Sequence, residues 1–397
     1  MNAYLIIDIG TGNVRVALVD TSGHILWVGQ DNVIYHKGEK YKDSLYFEPD
    51  FLWEQIIQLA RQGLLENPDV RLVAATASSQ REGIVLIDKN GKAMTGFPNH
   101  DHRGRFMEDI IKDKNTVYTL TGRYPTSLFS ALKLVAYCEE YPKEWERLGC
   151  MMSISDWAQY QLSGVKGYEH AQASETLLYD VRQKEWSEKL FSIFGLTAAI
   201  VPPLQFSGTA SGQITKEVAL QLGLKQTVPV IVGGADTQLA VKSTHPDLHD
   251  IVIVSGTTTP VTKITTEYVL DKQQRSWTNS YLDKKQYMLE TNCGVTGLNY
   301  QRIKSIFYPN ETYDTIEQEL DKIESPSCFA HLGAYLADEK KFYTKGGFQF
   351  DVPVMTALSR ADFVFASLWE IACAINENLS CLMNIHSFDK DYVWCCG

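Results

Sequence analysis

Over residues 4–31 apolar and polar positions alternate, and the alternation is broken first by Gly10, Thr11 and Gly12 and then by Asp20, Thr21, Ser22 and Gly23. A period of two punctuated by turn residues predicts a three-stranded antiparallel meander. From about 51 to 65 the apolar residues fall at helical spacing, and an amphipathic helix is expected there. An apolar run at 72–76 follows, then a hairpin that begins with 83–87 and turns on Asp88, Lys89, Asn90 and Gly91. Residues 129–162 keep helical spacing, and 154–164 reads as a capped amphipathic helix stopped by Gly164, with Trp157 packing inside. A short helix is predicted over 214–222, ended by Gly223. Residues 228–236 read as a buried strand closing on Gly233, Gly234 and the carboxylate of Asp236.

The next strand pattern has been seen before. Residues 251–264 repeat residues 5–18: apolar strand, Gly-Thr turn, strand. We read this as an internal duplication. A chain of 397 residues is too long for one core. With no low-complexity linker, the boundary is expected in the connection near 240–250, giving domains 1–245 and 246–397 that meet across a cleft. Mixed strands and helices make the class α/β.

Composition narrows the function. A formal charge of −11 counts against nucleic acid and anionic membrane as partners, since both require a basic face. The eight cysteines show no metal-type spacing and read as reduced thiols. No segment approaches the roughly 20 apolar residues of a membrane span, and the N-terminus lacks the basic flank of a targeting signal, so a cytoplasmic location is expected.

Candidate chemistry sits at the turns. Asp8, Gly10, Thr11, Gly12, Asn13 and Arg15 surround the first. There the glycines let backbone N–H groups approach a phosphate, Thr11 can donate to it, and Asp8 can hold Mg²⁺ through water. By itself such a segment is also an ordinary hairpin turn. Its duplicate at Gly256, Thr257 and Thr258 changes the reading, because two such tips clamp a polyphosphate from both sides, which suits ATP. Asp236, after two glycines and before Thr237 and Gln238, is placed to be a general base, and a helix N-cap is the alternative. Gln80, Arg81 and Glu82, together with Asn99 and Asp101, supply donors and acceptors for a polyol, although an exposed ion pair would also explain the Arg–Glu neighbours.

Taken in order, these segments resemble the FGGY carbohydrate kinases, relatives of actin, hexokinase and the heat-shock chaperone ATPases. The matching parts are Asp8 to Thr11, Gln80 to Gly83, Asp101 with Arg103, Ser155 to Trp157, Ala173 to Thr176, Gly233 to Asp236, and Gly256 with Thr257. The resemblance implies duplicated actin-like (ribonuclease H-like) ATPase domains around a central cleft. It also implies transfer of the ATP γ-phosphate to a sugar or polyol with Mg²⁺, Asp236 as base, and Asp8 and Asp236 at the metal. Gln80, Arg81, Glu82, Asn99, Asp101, Asp236 and Gln238 would hold the substrate. Asn99 and Leu128 stand where glycerol kinases carry aromatic residues, and the segments 81–86 and 154–164 are similar to autoinducer-2 kinases. The expected acceptor is therefore the linear dihydroxy pentanedione, with a ketopentose, a tetritol or glycerol as alternatives. Because the family's chains continue past the point matching Gly397, an incomplete second domain is expected, and with it a non-catalytic sugar-binding relative as the rival reading. A homodimer is a further expectation.

Overall fold

The computed structural model describes residues 1–333, 345–352 and 357–397. The expected meander forms from β1 (Asn2–Ile9), β2 (Asn13–Asp20) and β3 (Ile25–Asn32), all antiparallel. Its alternation has the predicted cause: Ala3, Leu5, Ile7 and Ile9 are wholly buried while the residues between them are not. Helix α1 (Pro49–Glu66) starts on a proline, whose missing N–H costs nothing in a first turn, and buries Leu52, Ile56 and Ala60. β4 (Arg71–Ser79) then lies parallel to β1.

The predicted hairpin is β5 (Ile84–Asp88) with β6 (Ala93–Phe97). One expectation fails here. Residues 129–162 are not continuously helical but divide into α2 (Ser130–Glu140), β7 (Leu148–Ser153) and α3 (Ile154–Ser163), with one short helical turn at Pro142–Trp145. Pro142 cannot continue α2, and β7 finds a ladder partner in β5, so tertiary pairing overrides a spacing that fits a helix. α3 behaves as read: the Ser153 hydroxyl accepts the Asp156 N–H at 3.1 Å, Gly164 ends it at φ 71°, and Trp157 is fully buried. The chain continues through β8 (Ala210–Gln213), α4 (Lys216–Gln221) and β9 (Pro229–Ala235), and then into α5 (Asp236–Ser243). The resulting sheet has the order β8-β9-β4-β1-β2-β3.

The second unit repeats this logic. β10 (Ile251–Val254) pairs antiparallel with β11 (Thr258–Thr265). They are followed by β12 (Trp277–Ser280), β13 (Tyr287–Val295), α6 (Gly297–Phe307), α7 (Arg360–Ile385) and β14 (Trp394–Cys396), with the sheet ordered β12-β13-β11-β10-β14. β10 has an antiparallel neighbour on one side and the parallel β14 on the other, as β1 has β2 and β4. The duplication seen in sequence is thus a duplication of strand order.

The chain divides into Met1–Leu239 with Asn279–Tyr287, and Ala240–Thr278 with Met288–Gly397. The stretch Asn279–Tyr287 belongs to the first unit because Arg123 donates to the Asn279 side chain, the Ser280 N–H donates to Ser174 Oγ at 3.0 Å, and Tyr179 and Ser280 share a 3.2 Å hydroxyl contact. Among the described residues no helix is long and apolar enough to cross a membrane.

Candidate active site

Three neighbouring parallel strands, β1, β4 and β9, end at the same level: Asp8 is in register with Ser78, Gly234 with Ser78, and Ala235 with Ser79. Carboxyl ends of parallel strands are where open α/β sheets bind ligands. Here they gather Asp8, Arg81, Glu82 and Asp236. Asp8 accepts from the Ser78 hydroxyl at 2.8 Å and lies 3.5 Å from the Arg15 guanidinium.

Asp236 opens α5 and keeps only part of its surface accessible. Burial pushes its pKa from 3.8 up to about 6, and the negative charges of Asp8 and Glu82 push the same way. Arg81 and the Thr237 N–H pull against them. Its Oδ1 accepts that N–H at 2.6 Å and the Thr237 hydroxyl at 3.2 Å. The two readings of Asp236 are therefore compatible, since one oxygen serves the helix start and leaves the other for a substrate hydroxyl.

The first turn is pinned from several sides. Gly10 N–H donates to Asn13 O at 2.9 Å, Val33 N–H to Gly12 O at 3.0 Å, and the Tyr35 hydroxyl to Thr11 O at 2.7 Å. Gln80 and Asn99, expected at the sugar, are engaged here instead. Gln80 Nε2 donates to Gly10 O at 3.2 Å, its Oε1 accepts the Asn99 N–H at 3.0 Å, and Asn99 Nδ2 donates to Thr11 Oγ1 at 2.9 Å. Both side chains thus help to hold the turn. Asp101 is likewise engaged within the chain. It has no exposed surface, and its two oxygens accept from Leu45 N (2.7 Å) and Arg103 Nε (2.8 Å), a closed ion pair stacked on the Phe97 ring. The expectation could not see this because it depends on Leu45, 56 residues away.

Arg81 and Glu82 stay at the site, both more than nine-tenths buried. Arg81 lies 3.9 Å from Glu82 and 3.9 Å from Glu175, and Glu175 in turn meets Arg123 at 2.6 Å. Glu82 has φ 57°, a left-handed conformation rare for a residue with a side chain. Its carbonyl is held by Ser130 Oγ at 3.3 Å and by Lys133 Nζ at 3.0 Å. Gln238 is wholly buried, and its amide nitrogen and oxygen are both without a hydrogen-bond partner. Glu175 lies in the Ala173 to Thr176 segment already singled out, whereas Lys133, Arg123 and Tyr35 escaped the sequence reading. Only Lys133 left a signal, as the lone charge in the apolar run 129–137.

In the second unit the Gly256 N–H donates to Thr258 O at 3.1 Å, and Thr257 O accepts from Thr296 and Leu298 at 3.1 and 3.3 Å. This seats the turn on the first turn of α6. Gly297 permits the approach, since a Cβ there would stand 2.2 Å from Gly256 O. A Cβ on Gly12 would meet nothing within 4 Å, and one on Gly256 only Thr258 O at 3.5 Å. Neither turn is therefore closed off by a neighbouring side chain at its glycine. Asp8 and Asp236, two interacting carboxylates, fit the sparse protein ligation of Mg²⁺, which keeps most of its water and phosphate ligands. Among the described residues no group of three metal-ligating side chains occurs.

Residues 3–242 match the model of the FGGY family of carbohydrate kinases, N-terminal domain. A Bacillus subtilis (strain 168) protein named as a candidate sugar kinase, YoaC, is 50% identical over 396 residues, 99% of this chain and 81% of that one. The autoinducer-2 kinase of Enterobacter sp. (strain 638) is 32% identical over 250 residues, 60% of this chain and 46% of its own length. Among solved structures, the gluconate kinase from Lactobacillus acidophilus superposes with a TM-score of 0.85 at 15% identity, over 100% of this chain and 81% of that chain. The Plasmodium falciparum glycerol kinase with ADP gives 0.84 at 19%, over 100% and 82%. Both share the two-domain actin-like fold.

Proposed function

The chain belongs to the FGGY family of carbohydrate kinases, which are phosphotransferases, and we propose that it moves the γ-phosphate of ATP to a hydroxyl of a small acyclic sugar or polyol, with Asp236 as general base. The observation that carries this is the single cluster of Asp236, Asp8, Arg81 and Glu82 at the ends of β1, β4 and β9.

In this reading the free oxygen of Asp236 accepts the proton of the attacking hydroxyl as its oxygen bonds to phosphorus. A carboxyl with a pKa near 6 is ionised at neutral pH and is a stronger base than an unperturbed one. Arg81 donates to, and Glu82 accepts from, other hydroxyls of the acceptor and so fixes which one faces Asp236. Thr11 and the backbone of the Gly10–Gly12 turn bind phosphate oxygens, and the same role is assigned to the matching turn at Gly256, Thr257 and Thr258. Asn13 and Arg15 complete the first turn. Asp8 and Asp236 would hold Mg²⁺, whose charge offsets that gathering on the phosphoryl oxygens. Gln80 and Asn99 act through the turn they hold.

The similarity to autoinducer-2 kinases, 32% identical over 250 residues, supports linear dihydroxy pentanedione as the acceptor. Coupled ADP release with Mg-ATP, measured on dihydroxy pentanedione, D-xylulose, gluconate, a tetritol and glycerol, tests the assignment. Turnover is expected on an acyclic compound of four to five carbons. Preference for gluconate or glycerol would remove dihydroxy pentanedione, and ligand binding with no turnover on any compound would favour a non-catalytic sugar-binding role.

A further inference from the structure

Lys133 is fully buried in α2, and the ion pairs of the neighbouring loops, Arg81 with Glu82 and Arg103 with Asp101, do not include it. Its ammonium instead donates to three backbone carbonyls: Glu82 O at 3.0 Å, Pro98 O at 2.8 Å and Asn99 O at 3.0 Å. Three donors meet three acceptors, so the cationic form is the one that fits, because a neutral amine would turn a lone pair toward a carbonyl. A buried charge satisfied only by carbonyls stabilises a fold poorly, which makes its geometry the informative part. The three carbonyls belong to two loops. One presents Arg81 and Glu82, with Glu82 held in its left-handed conformation. The other presents Asn99, whose side chain is bonded to Thr11 in the first turn.

We infer that Lys133 is a positioning residue for phosphoryl transfer: its ammonium fixes the acceptor-binding loop at Arg81 and Glu82 relative to the turn at Gly10–Gly12. This rests on the reading of those loops given above. The first turn has its own anchors in Asn13, Val33 and Tyr35, so loss of the tripod should displace the acceptor and not the nucleotide.

The groups facing the ammonium are Glu82 and Asp101, which favour its charge, and Arg103, which opposes it. His100 and His102 also lie near, with pKa values pushed down to about 4 by burial, so neither titrates in the range that matters. Burial lowers Lys133 to about 8. The acceptor KM of the wild type should therefore rise as pH passes through 8. The linkage of this group to folding has the opposite sign: its depressed pKa makes its contribution to stability grow from pH 8 toward 10.5. General unfolding cannot imitate that combination.

The decisive variant is Lys133→Met, which keeps the apolar stem and removes the tripod. With the best acceptor among D-xylulose, gluconate, glycerol and dihydroxy pentanedione, kcat/KM for the acceptor should fall at least tenfold while KM for ATP changes less than twofold. Amide exchange at residues 80–84 and 98–102 should also quicken. Unchanged acceptor kinetics and exchange, or equal losses for acceptor and ATP, would overturn the inference. Should Lys133→Met not fold, the wild-type pH series decides, and a flat acceptor KM from pH 7 to 9.5 counts against it. If the wild type turns over none of these compounds, the functional reading has failed, and the exchange comparison, which needs no turnover, still decides whether Lys133 clamps the two loops.

Discussion

Asp236 carries opposed demands. As a base it must be ionised, yet its surroundings favour the protonated form, raising the pKa to about 6. A carboxyl whose folded pKa lies above its unfolded one stabilises the fold at pH below about 4, and that contribution is lost as pH rises through about 6. At pH 7 the charge is therefore a cost, on the order of 1–3 kcal/mol. Asp236→Asn should raise the melting temperature at pH 7 and give no such gain at pH 4, as calorimetry at the two pH values would show. The same substitution removes the proton acceptor, and turnover should drop at least about 100-fold, the low end of general-base contributions. A variant that lost activity and stability together would instead mark Asp236 as a structural helix start.

At the scale of elements, the two glycine turns and the strand β9 make separable predictions. Gly233 N–H donates to Gln159 Oε1 at 3.1 Å, and a Cβ on Gly233 would stand 1.9 Å from Ala77 O in β4. Gly233→Ala should force β9 away from β4 and cost about 1–3 kcal/mol, read as a lower denaturant midpoint. Gly12 has open space around its missing Cβ, so Gly12→Ala should leave the midpoint nearly unchanged while raising KM for ATP, because the new methyl occupies the approach to the turn. Stability loss in Gly12→Ala without any effect on ATP would contradict the phosphate role of that turn. These elements were legible in sequence because alternation, Gly-Thr punctuation and the repeat of 5–18 at 251–264 are local signals. The strand β7 was not, since its pattern fits either period and only pairing with β5 decides it. Gln80, Asn99 and Asp101 were found as polar residues near the site, but their partners within the chain were not. Each is spent on groups distant in sequence: Gly10, Thr11 and Leu45. Lys133 showed in sequence only as a lone charge in the apolar run 129–137, a pattern that does not reveal which carbonyls its ammonium meets.

For the whole molecule, duplication explains why so much of the fold could be read from two short segments. The order β4-β1-β2-β3 recurs as β14-β10-β11-β13, so one pattern of turn and strand specifies both units. Membership of the carbohydrate kinase family follows from the match over residues 3–242 and from 50% identity over 396 residues to a relative of which this chain covers 81%. In the proposed reading, Arg81 and Glu82 meet the acceptor and Lys133 positions them. The central claim is that Asp236 takes the acceptor's proton. Its most direct test is the pH dependence of acceptor-stimulated ADP release for the wild type beside Asp236→Asn. The account predicts a wild-type rate rising through about pH 6 and falling above about pH 8, with only a small residual rate, lacking the acidic limb, in the variant. A variant that retained the wild-type rate and its acidic limb would contradict it.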